Sequence, residues 1–236
     1  MHFATRTIHA AQPSEPETGA LVAPIFQTST FEQDAPAVHR GFDYSRTNNP
    51  TRQRLEQVLA DLEGVAHGAV FASGLAAENA LLRAHVKPGD EVIVGPDVYG
   101  GTYRLLTRVY QPIGVGIRQV DYADLDAVRG ALSPRTRLVW IETPSNPMLK
   151  ITDVAAVVAR AHAAGAYVLV YSTWTTPLLQ RPLEQHADDF VAPLRADVGP
   201  ERLAEAIRQV VVALRHGFSL VWSDGALLPR SSTRGV

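Results

Sequence analysis

Two periodicities alternate along the chain. Leu55, Val58, Leu59 and Leu62 stand at i, i+3, i+4 and i+7 and predict an amphipathic helix that Gly64 ends. A short apolar run at 67–72 predicts a strand. A helix over 74–85 follows, and then a turn at Lys87-Pro88-Gly89-Asp90. The alternation continues with strands at 91–94, 115–120, 138–141 and 167–171. Helices are predicted between them at 101–110, 125–132 and 154–163. Strands alternating with helices predict an α/β fold with a mostly parallel sheet covered by helices on both faces.

The flanks lack this pattern. Residues 1–50 are rich in Thr, Pro, Gln and Asn and read as an extended N-terminal arm. Residues 51–190 form the α/β domain, and 191–236 a short helical remnant and tail. In that remnant Pro200 opens a predicted helix, with Leu203, Ile207, Val210, Val211 and Leu214 as its apolar stripe. Residues 231–236 read as disordered.

Composition narrows the function. With 236 residues, 46% of them hydrophobic, the chain can bury a substantial core. A net charge of -2 and a pI near 6.4 point to no nucleic acid or acidic membrane partner. The absence of cysteine excludes disulfides, thiolate metal sites and a cysteine nucleophile, and no metal site is predicted. No apolar stretch reaches the roughly 18 residues of a membrane span, and the first residues lack a signal peptide's apolar core. A cytoplasmic protein is expected. Of the 22 Lys and Arg residues only Lys87 and Lys150 are lysines.

Four segments carry candidate chemistry. Ser73-Gly74-Leu75-Ala76-Ala77 lies between a strand and a helix, where free N–H groups and the helix dipole suit a phosphate. Small residues at such turns also occur without a ligand. Tyr44-Ser45-Arg46 joins an aromatic hydroxyl to a guanidinium, either a phosphate clamp or part of a solvated loop. Asp97-Val98-Tyr99-Gly100-Gly101-Thr102 follows a strand end, where open α/β sheets place ligands. Its tyrosine suits stacking on a flat ring, or covering a helix start. Glu142-Thr143-Pro144-Ser145-Asn146-Pro147 also follows a strand end. It offers the Asn146 amide on a stiff loop that is equally a structural turn.

In this order, with Pro24-Ile25-Phe26-Gln27-Thr28-Ser29-Thr30-Phe31 before them and Thr175-Thr176-Pro177-Leu178-Leu179-Gln180-Arg181-Pro182-Leu183 after, the segments resemble a known family. It comprises the pyridoxal-phosphate (PLP) enzymes of cysteine and methionine metabolism: cystathionine γ-synthase, the cystathionine lyases and methionine γ-lyase. The resemblance spans about residues 3–189. It implies a PLP fold-type-I large domain with a truncated C-terminal part. It also implies PLP as cofactor and a small sulfur-containing amino acid as substrate. Gly74 and Leu75 would then lie at the phosphate, Tyr99 would stack on the pyridine ring and assist proton transfer, and Asn146 would contact the 3′-oxygen. Tyr44 and Arg46 would reach the phosphate of a neighbouring subunit, which requires an oligomer.

The family pattern fails at two places. Where the family has Val-Asp-Asn-Thr, this chain has Val170-Tyr171-Ser172-Thr173, so the aspartate that pairs with the ring nitrogen is a tyrosine. Beyond Asp188 the family's Ser-Ala-Thr-Lys segment, with its Schiff-base lysine, has no counterpart. His186 is not at the lysine position. The expectation is non-covalent PLP binding with impaired or no turnover. Two alternatives stand beside it: a pseudoenzyme paired with an intact, full-length homologue, or a truncated product without function.

Overall fold

The computed structural model describes residues 2–193, 210–214, 220–223 and 226–229. The N-terminal segment holds a short helix, α1 (Phe3–His9), and a two-stranded ribbon of β1 (Gln33–Ala35) and β2 (Val38–His39). Helix α2 (Pro50–Glu63) begins at an asparagine cap. The Asn49 side chain accepts the Thr51 N–H, and Pro50 occupies the first turn, where its missing N–H costs nothing. Gly64, at φ 74°, ends the helix in the left-handed conformation. Next, β3 (His67–Phe71) runs close under α2. A Cβ on Gly68 would lie 2.6 Å from the Glu56 carbonyl oxygen, so only glycine permits this approach.

Helix α3 (Gly74–His85) starts at Ser73, whose side chain accepts the Ala76 N–H. The elements that follow are β4 (Glu91–Val94), α4 (Gly100–Leu105), β5 (Gly116–Gln119), α5 (Leu125–Ala131), β6 (Thr136–Glu142), α6 (Val154–Ala163) and β7 (Tyr167–Tyr171). The helix expected over 101–110 is α-helical only to Leu105. It continues as a π-helical stretch, Leu106–Tyr110, and a 3₁₀ turn, Gln111–Ile113. Last come β8 (Asp189–Pro193), β9 (Val210–Leu214), β10 (Leu220–Ser223) and β11 (Ala226–Pro229), the last two forming a hairpin.

Seven strands make one sheet in the order β3-β9-β8-β7-β6-β4-β5. Only β9 runs against the others. This corrects the helix predicted through Val210, Val211 and Leu214, since these residues lie in a strand between β8 and β3. The run Val210-Val211-Val212-Ala213-Leu214 is rich in β-branched residues, and ladder pairing on both sides overrides the helical spacing of its apolar positions. The sheet thus draws on residues past 190. Residues 200–209 of the predicted helix and the tail at 231–236 lie outside the described residues.

Both faces of the sheet are covered. Leu138 and Trp140 of β6 join Ala77, Leu82, Val92, Leu106 and Leu169 on the side of α3 and α4. Val139 and Ile141 join Ile93, Val128, Val157 and Val170 on the side of α5 and α6. This double burial explains the continuous apolar runs of β4, β6 and β7. It also brings the C-terminal ends of these strands and the start of α3 to one edge of the sheet. Among the described residues no helix is long and apolar enough to cross a membrane.

Candidate cofactor site at the strand ends

The site is built from loop starts at that edge. After β4 the chain turns through Asp97 and Tyr99 into α4. The Tyr99 N–H donates to Glu142 Oε2 at the end of β6, 2.6 Å away. Gly101 lets the Tyr99 ring lie against the helix start, because a Cβ there would overlap the ring. Tyr99 nevertheless remains 40% exposed. Ser145 Oγ donates to Asp97 Oδ2 at 2.5 Å and accepts the Lys150 N–H at 3.1 Å, which ties the β6 loop to the β4 loop. Asn146 projects from this loop and is exposed. Gly74 and Leu75 form the first turn of α3, and Leu75 is exposed.

Tyr44 and Arg46 lie in the N-terminal segment, with the Arg46 guanidinium 4.9 Å from the centre of the Tyr44 ring. None of the hydrogen bonds or ion pairs among the described residues joins this pair to the strand-end residues. The structure therefore assembles Gly74, Leu75, Tyr99 and Asn146 along one edge, and Tyr44 with Arg46 as a separate exposed pair.

Three ionisable groups act on one another at this edge: Glu142 and Tyr171, which the sequence reading marked, and Glu78, which it did not. Burial pushes the Glu142 carboxyl up to about 7, against the backbone N–H groups of Tyr99 and Asn146 and with help from Asp97. Burial likewise pushes Glu78, on α3, up to about 7. The Thr102 hydroxyl opposes this rise and Glu142 adds to it. The Tyr171 phenol, at the end of β7, is pushed up to about 12 by burial. The Thr173 hydroxyl opposes the shift, and Glu78, Glu142 and Tyr99 reinforce it. One signal for Glu78 was present in the sequence: it shares a helix face with Leu81 and Leu82, where a carboxylate is out of place.

A cavity of about 290 Å³ opens beside the site, lined by Asp97, Asp121, Tyr122, Glu142, Ser145 and Lys150. The Lys150 ammonium lies 3.7 Å from Asp121 there. Lys87 sits in the turn before β4, at the opposite edge of the sheet. Among the described residues no cluster of His, Asp and Glu could hold a metal ion.

An open, doubly covered α/β sheet with a capped helix start and an exposed aromatic at its strand ends belongs to the class of α/β folds that bind phosphate-bearing ligands at that edge. The particular family follows from sequence. Residues 4–192 match the Cys/Met metabolism PLP-dependent enzyme family, and the chain belongs to it. It is 50% identical over 186 residues to a probable cystathionine gamma-synthase of Herpetosiphon aurantiacus, covering 79% of this chain and 58% of that protein. It is 45% identical over 184 residues to a cystathionine beta-lyase of Coxiella burnetii, covering 78% and 47%. Cystathionine gamma-lyase from Lactobacillus plantarum, solved with L-serine, superposes with a TM-score of 0.83 at 37% identity, covering 92% of this chain and 55% of that one. The neighbours are fold-type-I enzymes, and the chain spans about half the length of the curated relatives it matches. Synthase and lyases match almost equally, so similarity alone does not select a reaction.

PLP fits the residues at this edge on three counts. The capped start of α3 offers N–H groups to a phosphate, the exposed Tyr99 face suits a flat ring, and Glu78 Oε1 is a buried oxygen without a partner among the described residues.

Proposed function

We propose that this chain forms a PLP pocket of the trans-sulfuration type and holds the cofactor without a covalent anchor, with little or no turnover on its own. The observation that carries this reading is the convergence of the α3 start, the Tyr99 ring and the Glu142-held turn on one sheet edge. Gly74 and Leu75 would hold the phosphate, Tyr99 would cover the ring, and Asn146 would contact the 3′-oxygen. When bound, PLP supplies an electron sink for a carbanion formed on an amino-acid substrate. The matching relatives support a substrate of the cysteine, cystathionine, homocysteine or methionine type.

The missing chemistry is specific. Lys87 stands at the wrong edge of the sheet, and Lys150 is engaged with Asp121. Neither supplies an amine to move the substrate's α-proton. Tyr171 occupies the position of the family's aspartate with a phenol that stays neutral at pH 7. A lost electrostatic partner costs on the order of 10²–10³ in rate. The test is equilibrium binding of PLP followed by borohydride reduction and intact mass. Saturable binding with no covalent adduct is expected. A stoichiometric adduct on Lys87 or Lys150 would overturn the absence of an anchor, and failure to bind PLP would overturn the pocket.

A second reading rests on the exposed Tyr44–Arg46 pair. In an oligomer these residues would serve the phosphate site of an adjacent subunit, a second copy or a full-length homologue. Mixing the purified chain with such a homologue and measuring mass by light scattering tests this. A mixed oligomer supports it, and two unmixed species count against it.

A further inference from the structure

We propose that Glu78, on helix α3, supplies the negative charge for the ring-nitrogen end of the bound cofactor. The proposal rests on the PLP-binding reading above and deepens it. Position 171, at the end of β7, cannot supply that charge because it carries a phenol.

Geometry carries the argument. Glu78 is fully buried in the second turn of α3. Its Oε2 accepts the Thr102 hydroxyl at 2.9 Å, while Oε1 has no hydrogen-bond partner among the described residues. A helix interior does not ordinarily carry a half-satisfied buried carboxyl, since such a group costs stability and returns nothing to the fold. The described groups that act on this set come from β6, β7 and the turn into α4. Glu142 ends β6, and Tyr171 lies beside it as its register partner on β7. Tyr99 leads into α4, and its N–H holds Glu142. Glu78 acts electrostatically on Tyr171, Glu142 acts on both, and Asp97 acts on Glu142. Among the described residues the titratable groups that act on Glu78, Glu142 and Tyr171 are all acids, so a cation is what this floor lacks.

A protonated ring nitrogen supplies one. Glu78 enters the site protonated for part of the neutral range, and gives up its proton as the nitrogen gains one. One O–H bond breaks, one N–H bond forms, and the carboxylate left behind faces the new cation. No proton from solvent and no redox partner is needed. Glu78 is a positioning residue in this scheme, since it acts through its charge.

The experiment follows the nitrogen itself. PLP labelled with ¹⁵N in the ring is bound to the chain, and its ¹⁵N shift is recorded from pH 5 to 9. An opposite charge nearby raises a group's midpoint by about 1–3 units. In Glu78→Gln the nitrogen's midpoint should therefore fall by about one unit or more. Thr102→Val removes the hydrogen bond that favours the carboxylate and should move the midpoint the same way by less. Glu63→Gln alters another buried glutamate, on α2, and should leave it in place. If Glu78→Gln does not fold, Thr102→Val decides alone. PLP that binds with a midpoint unmoved by these changes overturns the role of Glu78 and leaves the binding reading intact. No bound signal in the unaltered chain overturns both.

Discussion

Tyr122 illustrates how single residues set this edge. Its buried hydroxyl reaches the carbonyl oxygens of Ile93, at 3.1 Å, and Trp140, at 2.8 Å, and so links the ends of β4 and β6 from which the site loops depart. Tyr122→Phe should lower stability by about 1 kcal/mol, seen as a lower urea midpoint with an unchanged slope. Tyr99 works differently, because its ring is exposed and bears little of the fold. Tyr99→Ala should leave the urea midpoint nearly unchanged and weaken PLP binding about tenfold, measured by equilibrium titration. Equal loss of stability and binding would place Tyr99 in the core instead. At this scale the motif residues stood out in the sequence because their types suit phosphate and ring contacts, and the structure brings Gly74, Leu75, Tyr99 and Asn146 to one edge. Glu78 stood out only as an acid on an apolar helix face, and one acid in an amphipathic helix gives no sign of which neighbours it meets.

At the scale of elements, spacing and caps decide most boundaries. The strands at Glu91–Val94 and Tyr167–Tyr171 and the helices at Gly74–His85 and Val154–Ala163 have the limits their patterns predict. Their apolar residues are buried on definite faces, and Ser73 and Asp153 cap the two helices. The packing of α2 on β3 depends on one missing methyl group. Gly68→Ala would drive a Cβ into the Glu56 carbonyl and should cost about 1–3 kcal/mol, visible as a lower thermal midpoint. A neutral outcome would mean that α2 shifts freely on the sheet. The failure at β9 has the same kind of cause. Positions 210, 211 and 214 suit a helical face, and only the strands on either side make them a ladder.

For the whole molecule, the buried acids give stability a definite pH dependence. Glu63, Glu78 and Glu142 each have a folded pKa raised from 4.5 to about 7, chiefly by burial. Between these limits the folded chain holds more protons than the unfolded one, so its stability falls as pH rises through the window. The loss is about 1.4 kcal/mol per pH unit for each fully responding group. Glu91 has the opposite sign. Its pKa is lowered chiefly by the Ser133 hydroxyl, with Arg135 and Arg118 contributing, so its stabilisation is lost as pH falls toward and below 4.5. The thermal midpoint should therefore be highest near pH 5 and fall toward pH 8. Glu63→Gln and Glu78→Gln should each flatten the alkaline side in a circular-dichroism melt series. A midpoint that climbs from pH 5 to 8 would contradict the burial of these carboxyls.

The sequence by itself determined the alternation of helices and strands from Pro50 to Tyr171, the α/β class and the family. Local periodicity, caps and side-chain type carry that information, and they act over a few residues. The tertiary structure alone decided that Val210–Leu214 is a strand inside the sheet. It alone brought Glu78, Glu142 and Tyr171 together from α3, β6 and β7. The physical reason is distance along the chain. Ladder pairing and desolvation depend on partners tens of residues away, and no local pattern records them.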